Sequence, residues 1–354
     1  MATTFKPLVG STDISTTKTL LHEAIPITGT IISGTYADNN VKNYSHGMFQ
    51  SVYDYPYLSS SANHIFDITI GYSDNSPLSG AANRKQNAKK INVYNQMAAV
   101  LVGYDRTGSI QEFDQDGNIS AGGTKIREAF FLSFSRLLFK DEIKKGTFSI
   151  AFMTSSNPTE AQGLVKTLGD YDAATNFRVN SPAGEFGVLY TASSGITTGT
   201  GQGLIYYQAG VIVLSASIFP NEDNGHVFDG FGPIISDFDT GSVERVMSGS
   251  NISSSADGLR NRWKDCSYNN TVELNSTVYF CRAAHNEFNY TSNPTYLTGS
   301  KIRVKNVAED APISYITTIG LYAPDNELMA MAKLSEPLKK DPSNELTLRV
   351  RLDY

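Results

Sequence analysis

Alternation of apolar and polar residues with a period of two is the feature that most limits how this chain folds. The last segment shows it most clearly, where Leu346, Leu348, Val350 and Leu352 alternate with Thr347, Arg349, Arg351 and Asp353. The same spacing recurs in three further sets: Phe66, Ile68, Ile70 and Tyr72; Phe130, Leu132 and Phe134; and Phe148, Ile150 and Phe152. Successive side chains of a strand point to opposite faces of a sheet, so these segments predict half-buried β-strands.

Two further segments extend the β prediction. The run from Val211 to Phe219 is apolar on nearly every residue, which is typical of an interior strand covered on both faces. Residues Tyr315 to Tyr322 and Glu327 to Leu334 flank the tetrapeptide Ala323-Pro-Asp-Asn326. Proline and asparagine suit the backbone angles of a tight turn, so this region predicts a hairpin near the C-terminal end.

Helices are expected to be few. The clearest runs from Lys89 to Val102, where apolar residues recur at helical spacing and Gly103 provides a stop. Shorter helical turns are predicted at 160–166 and 242–247. The polar stretches 191–203 and 248–257 are predicted to be long loops.

These patterns predict a mainly β fold of the α+β class, with a β-sandwich-like body and few helices. Patterning is more regular towards the two ends of the chain than in its middle. We therefore expect a discontinuous body domain formed by residues 1–155 and 301–354, with a loop-rich β domain of residues 156–300 inserted into it.

Charge and composition limit the class of partner. The chain of 354 residues carries a formal net charge of -6 and only 18% charged residues, so it has no general attraction for phosphate backbones. Residues 1–20 lack the basic start and apolar run of an export signal, and no apolar run is long enough to span a bilayer. We expect neither a nucleic-acid nor a membrane partner.

The two cysteines, Cys266 and Cys281, flank a predicted hairpin from Thr271 to Phe280. That arrangement leaves a cross-strand disulfide open, but two buried thiols are favoured in a reducing compartment.

The sequence contains no common catalytic signature and no histidine pair at ligand spacing, so we expect no enzyme, cofactor or metal. Asp114, Asp116 and Asn118 resemble the start of a calcium loop, yet Ile119 and Lys125 replace its required glycine and glutamate, which favours a polar turn. Two other segments are read as a flexible loop and a solvated acidic turn. They are Gly199-Thr-Gly201-Gln-Gly203, and the group Glu222, Asp223, His226 and Asp229.

Aromatic residues crowd two segments. One contains Tyr44, Phe49, Tyr53, Tyr55 and Tyr57, and the other contains Phe228, Phe231 and Phe238. Tyrosine and phenylalanine provide large contact areas with little side-chain entropy to lose, so they anchor interfaces; closing the ends of a core is the alternative role.

Several segments resemble virion structural proteins of T-even-type contractile-tailed phages, in particular those of cyanobacterial hosts. They are Ile316 to Lys340, Leu346 to Tyr354, Ile65 to Ser73 and Ser181 to Tyr190. Within that group the chain is most similar to the baseplate wedge subunit that forms a homodimer; neck and fibre-attachment proteins share such β-rich bodies. The resemblance implies a discontinuous body with an inserted domain and no catalytic residue.

Together these observations predict a non-enzymatic subunit of a phage tail baseplate, assembled in the host cytoplasm. Its expected partners are a second copy of itself and other wedge subunits. The expected contact residues are Tyr53, Tyr55, Tyr57, Phe228, Phe231, Tyr322 and Tyr354, and Tyr315 to Tyr354 is expected to form a shared core or edge. The alternative is a carbohydrate-binding or carbohydrate-cleaving fibre module, with Glu222 to Phe231 near the sugar.

Overall fold

Antiparallel strands dominate the structure, and the prediction of a mainly β fold with few helices is confirmed. The structure is a computed structural model. It describes residues 5–28, 40–55, 62–81, 85–118, 122–153, 165–191, 201–216, 247, 251–261, 263–290, 297–298, 301–302, 309 and 311–354.

The elements are numbered here in chain order. The strands of the first half are β1 Ile14–Thr28, β2 Val41–Asn43, β3 Gln50–Tyr53, β4 His64–Tyr72, β5 Phe113–Asp114, β6 Lys125–Ile126, β7 Glu128–Phe134, β8 Glu142–Ile143, β9 Ser149–Met153 and β10 Val165–Gly169. Those of the second half are β11 Arg178–Ser181, β12 Gly184–Thr191, β13 Gly203–Tyr206, β14 Val211–Ser215, β15 Trp263–Ala283, β16 Leu297–Thr298, β17 Lys301–Ile302, β18 Ser314–Tyr322, β19 Leu328–Lys340 and β20 Leu346–Asp353. The α-helices are α1 Lys85–Leu101, α2 Arg136–Phe139 and α3 Ile252–Asn261, and a short 3₁₀ helix covers Pro77–Ala81.

The chain divides into two compact units. The larger unit is continuous and comprises Leu21–Val272, whereas the smaller unit is discontinuous and comprises Met1–Leu20 and Glu273–Tyr354. The predicted division, with residues 156–300 as the inserted part, does not coincide with these units. The reason is that β9 and β10, which lie on either side of residue 155, are hydrogen-bonded neighbours in one sheet.

One sheet organises the larger unit. Its strand order is β15-β9-β10-β12-β13-β14-β7-β4-β3-β2, with every neighbouring pair antiparallel. At its centre Ile68 lies opposite Leu132, which in turn lies opposite Ile212. All five residues of β14 are buried, so the predicted interior strand is confirmed over Val211–Ser215.

Aromatic stacking packs distant strands of this sheet against each other. The indole of Trp263 on β15 stacks on the ring of Phe66 on β4, with ring centroids 4.9 Å apart and planes 7° from parallel. Nearby, Phe134 on β7 meets Tyr268 on β15 at 5.3 Å. Since β15 and β4 are separated by six strands in the sheet order, the sheet folds over so that two parts of one face enclose a core.

Helix α1 covers the other face of the central strands. Its Tyr94 contacts the rings of Phe113 at 5.4 Å and Phe131 at 6.1 Å, and its hydroxyl donates a hydrogen bond of 2.6 Å to the carbonyl of Ile126. The helix approaches β4 closely at Gly71, where a Cβ atom would lie 2.6 Å from the Lys90 carbonyl oxygen and 2.8 Å from the Tyr94 nitrogen. Burial of both faces explains why most residues of β4 and β7 are apolar.

The predicted helix is confirmed, although it begins four residues earlier than Lys89. Ile91, Tyr94, Ala98 and Leu101 are buried on one side of it, as their spacing predicts. Gly103 ends the helix with a φ of 93° and donates its N–H to the Ala98 carbonyl.

Two strand predictions are confirmed in the smaller unit. Strand β20 pairs along its length with residues 276–283 of β15, and its exposure alternates as the sequence predicts. Strands β18 and β19 form the predicted hairpin, in which Asn326 takes a φ of 68° and Ala323 donates a 2.9 Å hydrogen bond to the Glu327 carbonyl. Asparagine tolerates this left-handed backbone better than most residues.

The predicted loop at 248–257 is wrong for its second part, because helix α3 begins at Ile252. The Asn251 side chain accepts a 2.7 Å hydrogen bond from the Ser254 N–H and so caps the helix. Ile252, Ala256 and Leu259 recur at helical spacing and are buried. A capped amphipathic pattern therefore outweighs the serine-rich composition.

The predicted hairpin between the cysteines is also wrong. Strand β15 continues without a turn from Trp263 to Ala283, so Cys266 and Cys281 lie on one strand as free thiols. Instead of turning, Asn275 exchanges backbone hydrogen bonds of 3.1 and 2.9 Å with Tyr354.

Several predicted segments lie wholly or largely outside the described residues. They are 192–200 of the first loop, 160–164 and 242–246 of the two helical turns, and 217–219 at the end of the interior strand. Val165 and Lys166, the last two residues of the helical turn predicted at 160–166, are described and belong to strand β10.

We predict that Gly71→Ala destabilises the larger unit by about 1–3 kcal/mol, because its Cβ would press on the backbone of α1 and the helix has to shift. Urea unfolding followed by tryptophan fluorescence measures the change, since the chain has one tryptophan, Trp263, in this core. Gly10→Ala is the matched control because a Cβ at that position meets nothing within 4 Å. Equal unfolding midpoints for the two variants would contradict the packing described for α1.

Candidate interaction surface

The predicted contact residues divide between the two units. Tyr53 is half-buried and Tyr55 is exposed, and both belong to the larger unit. Tyr322 and Tyr354 are exposed and belong to the smaller unit. Tyr57, Phe228 and Phe231 lie outside the described residues, as do Phe238 and the group from Glu222 to Asp229.

Tyr53 is held in a polar cluster on β3 and β4 instead of being freely presented. Its ring meets the His64 ring edge-on at 5.5 Å, and its hydroxyl hydrogen-bonds to Tyr44. Burial, with that hydrogen bond, raises the pKa of the Tyr53 phenol. The Tyr53 side chain is therefore part of the packed surface of the sheet more than part of an open binding site.

The same cluster contains a serine, a histidine and an aspartate, which are the residue types of nucleophilic catalysis. Ser51 Oγ donates to Asp67 Oδ1 at 2.5 Å, and His64 Nε2 lies 2.8 Å from that same oxygen. In a catalytic arrangement the hydroxyl has to bond to the imidazole that removes its proton. Here the hydroxyl and the imidazole share a carboxylate, so the geometry is that of a structural network.

Tyr44 does not offer an open ring face for stacking on a sugar. Lys42 Nζ lies over its ring, 4.9 Å from the centroid, and the His46 ring stacks nearly parallel to it at 5.2 Å. Phe49 packs against both rings at 4.8 and 5.1 Å. These aromatic side chains therefore pack against one another. This arrangement matches the alternative interpretation, in which they are part of the packed body.

Asp114, the first residue of the calcium-like segment, is 1% exposed and forms an ion pair with Lys125 across the β5–β6 hairpin. Asp114 also accepts the Asp116 N–H at 3.2 Å, and Asp116 accepts the Asn118 N–H at 3.0 Å. This is the hydrogen bonding of a polar turn. Across the part of the chain that the structure describes, no three histidine, cysteine or acidic side chains come together in a group able to hold a metal.

A buried carboxyl, Asp170, supports the turn before β9. It accepts hydrogen bonds from the N–H groups of Gly146 at 2.7 Å and Phe148 at 2.9 Å, and from the Tyr207 hydroxyl at 2.9 Å. Burial raises its pKa to about 6, while these three donors oppose the rise. Asp170 is 1% exposed, so its position is that of a structural group and not of an accessible acid or base.

The smaller unit differs from the larger one in how many of its apolar side chains are buried and how many are exposed to solvent. The continuous hydrophobic core draws every one of its buried residues from the larger unit. Among the described residues of the smaller unit, only Val278, Ala283 and Val350 are buried hydrophobic residues. Yet this unit carries twelve of the nineteen large hydrophobic residues that are exposed in the described chain.

The greatest concentration lies on the hairpin formed by β18 and β19, which we call the exposed hairpin (residues 314–340). Tyr322 and Leu328 are each 48% exposed, Met331 is 58% exposed and Met329 is 68% exposed. The ring of Phe5 packs on Tyr322 with centroids 4.7 Å apart. Contiguous exposed apolar side chains of this kind mark interaction sites on soluble proteins.

The sequence prediction named Tyr322 and included Leu328, Met329 and Met331 only as part of the segment Tyr315 to Tyr354, and it missed Phe5. The available signal was that apolar residues occupy both alternating sets in the first half of β19, where Met329 and Met331 are exposed and Ala330, Ala332 and Leu334 are half-buried. A strand of that composition needs cover on both faces.

Tyr354 lies at the far end of β20, 74% exposed but anchored. Its hydroxyl lies 3.1 Å from the Thr277 hydroxyl, and its backbone pairs with Asn275. A shallow polar groove adjoins it, lined by Thr16, Thr17, Lys18, Asn275, Ser276 and Tyr354. The groove is open to solvent, and Tyr354 lies in it beside hydroxyl and amide groups.

No protein-family model matches the chain, and comparisons with curated proteins and with solved structures found no match. Within the described ranges, no helix is both long enough and apolar enough to cross a bilayer.

We predict that Asp170→Asn lowers the free energy of unfolding by about 1–3 kcal/mol, because a carboxamide cannot accept all three hydrogen bonds. A carboxyl whose pKa is raised on folding contributes stability that is fully present below its unfolded value and lost as the pH rises. The stability difference between the wild type and the variant should therefore decrease as the pH rises from about 4 through about 6. Denaturant titrations at pH 4, 5, 6 and 7 measure it, and a difference that grows over this range would contradict the assignment.

Proposed function

We propose that this chain is a non-enzymatic structural subunit of a phage tail baseplate, a wedge component that acts through protein–protein interfaces. Its proposed partners are a second copy of itself and neighbouring wedge subunits in the virion. The observation that supports this most is the exposure of apolar side chains on the smaller unit, where twelve large hydrophobic residues are exposed and three hydrophobic residues are buried in the described part.

The physical argument concerns what stabilises the smaller unit. Removing apolar surface from water contributes about 25 cal/mol per Å², and it is the main favourable term in folding and association. A unit that leaves apolar area exposed gains this favourable free energy only when a partner covers that area. Obligate subunit interfaces have this character and resemble a domain core divided between two chains.

The polar surroundings of the exposed side chains fit the same role. Thr317, Thr318 and Ser335 are exposed on the same hairpin and supply uncharged hydrogen-bonding groups beside the apolar positions. Interfaces commonly combine an apolar centre containing tyrosine and methionine with a polar rim. The sequence resemblance to wedge subunits supplies the biological setting, in which such contacts hold in one state of the tail and rearrange when it contracts.

Light scattering after size-exclusion chromatography tests the proposal. We expect the purified chain to elute as a dimer with twice the 38.6 kDa chain mass, and to enter a larger complex of defined mass when mixed with the other tail proteins of its source. A chain that stays monomeric and ignores those proteins would overturn the proposal. A glycan array run in parallel is the control for the carbohydrate-binding alternative, which predicts binding to a defined sugar.

A further inference from the structure

The loop that follows strand β15 presents two aromatic side chains to solvent. We call residues 284–290 the aromatic loop; it belongs to the smaller unit. Phe288 is 46% exposed and Tyr290 is 55% exposed. Within the described part of the chain neither ring contacts another aromatic ring, and the Tyr290 hydroxyl forms no hydrogen bond. Both side chains are therefore open to a partner.

The backbone of the aromatic loop is strained at Phe288. Its φ is 53°, in the left-handed region that glycine and asparagine tolerate better than other residues. Such a conformation persists only where the surrounding structure holds it, and residues of this kind cluster at binding sites. Strain at an exposed phenylalanine therefore indicates a role in binding.

Hydrogen bonds from two buried residues hold the loop in this conformation. Ser314 is 5% exposed, and its Oγ donates to the carbonyl of Phe288 itself. Lys340 is 0% exposed, and its Nζ donates to Asn289 Oδ1 at 2.7 Å and to the His285 carbonyl at 3.3 Å. The backbone that carries the ring is fixed before binding, which lowers the entropy lost when a partner binds.

The loop and the side chains paired with it carry no net charge. Glu287 of the loop forms an ion pair with Lys6. Glu345, which lies 3.5 Å from the His285 ring, offsets the charge of Lys340. A partner is therefore selected by apolar contact and by hydrogen bonding to the tyrosine hydroxyl, and not by charge.

The protruding shape of the loop favours a different subunit as the partner. Of its seven residues, four are exposed and none is buried. A two-fold contact places a patch against its own copy, so the patch has to be self-complementary. Two rigid loops that each project a ring would meet at their tips, whereas an apolar pocket on another chain encloses the ring. Aromatic side chains in such pockets dominate the binding energy of many interfaces.

We propose that Phe288 is an anchor residue that inserts into an apolar pocket on a different tail subunit, and that Ser314 and Lys340 hold it in the binding conformation. The inference rests on the proposed structural role and specifies one contact of such a subunit. Phe288 is absent from the contact residues predicted from the sequence, because its exposure and its φ are set by residues distant in the chain.

Phe288→Asn tests the anchor while keeping the backbone, since asparagine tolerates a positive φ. Each tail protein of the source is titrated singly with the full chain and followed by sedimentation velocity. For a tail protein that binds the wild type, we expect Phe288→Asn to raise the dissociation constant about 30-fold or more, while the urea midpoint stays equal or rises.

Tyr104→Asn is the matched control for this variant. Tyr104 is 61% exposed on the larger unit, and like Phe288 it contacts no other aromatic ring in the described chain. We expect it to bind as the wild type does. Wild-type binding by Phe288→Asn would overturn the proposal, and a lowered urea midpoint with that binding would assign the ring to the fold of the loop.

Ser314→Ala tests the positioning of the ring, because it removes the hydrogen bond to the Phe288 carbonyl and leaves the ring in place. We expect the dissociation constant to rise about 3- to 10-fold. Added to Phe288→Asn, the same change should have no further effect on binding, since it acts through the ring. An equal effect in both backgrounds would overturn the positioning role. Far-ultraviolet circular dichroism checks that each variant keeps its strands.

The outcomes separate this inference from the proposed function. A wild type and a Phe288→Asn variant that bind the same tail protein equally well overturn the anchor and leave the structural role in place. A wild type that stays monomeric and binds none of those proteins overturns the structural role, and the anchor with it. A Phe288→Asn variant that loses only self-association overturns the assignment of the pocket to a different subunit.

Discussion

The stacking of Trp263 on Phe66 is the contact on which the larger unit depends. It joins two strands that are distant in the sheet order, and it does so with nearly parallel rings 4.9 Å apart. Around it, Phe134, Tyr268 and Phe152 complete an aromatic centre. With α1 on the opposite face, the central strands β4 and β7 are buried on both sides.

The smaller unit differs in that most of its apolar side chains are not buried. Its strands alternate as regularly as those of the larger unit, but their apolar positions are half-buried or exposed, as Leu348, Leu352 and Met331 are. Its ordered contacts are mostly hydrogen bonds and ion pairs, such as those of Arg282 with Asp13 and of Arg351 with Asp353. The Arg351–Asp353 pair is exposed on both sides, and ion pairs at such positions contribute little to stability. Under the proposed function, association with another chain is the step that gives this unit an apolar interior.

Much of the fold could be predicted from the sequence because period-two alternation is a local signal. It located β4, β7 and β20, a continuous apolar run located β14, and the spacing of Tyr94, Ala98 and Leu101 located α1. Two predictions were wrong for the same reason, namely that amino-acid composition was given more weight than the spacing of apolar residues. Serine-rich residues hid the capped helix α3, and the segment from Thr271 to Phe280 was read as a hairpin, although pairing with β20 keeps β15 extended.

The candidate surface was less predictable for a physical reason. Alternation tells which residues share a face, but a face is buried or exposed according to what distant segments place on it. Tyr53 and Tyr322 look alike in sequence as strand-end tyrosines. The structure covers Tyr53 with His64 and Tyr44, whereas it leaves Tyr322 with Phe5 on an open hairpin.

Hydrogen–deuterium exchange at low and high protein concentration tests the central claim most directly, namely that association completes the smaller unit. We predict that amides of β18 and β19 become better protected as concentration rises, while those of β4 and β7 in the larger unit stay equally protected throughout. Equal protection of the exposed hairpin at every concentration would contradict the account, because the smaller unit would then be fully stable without a partner.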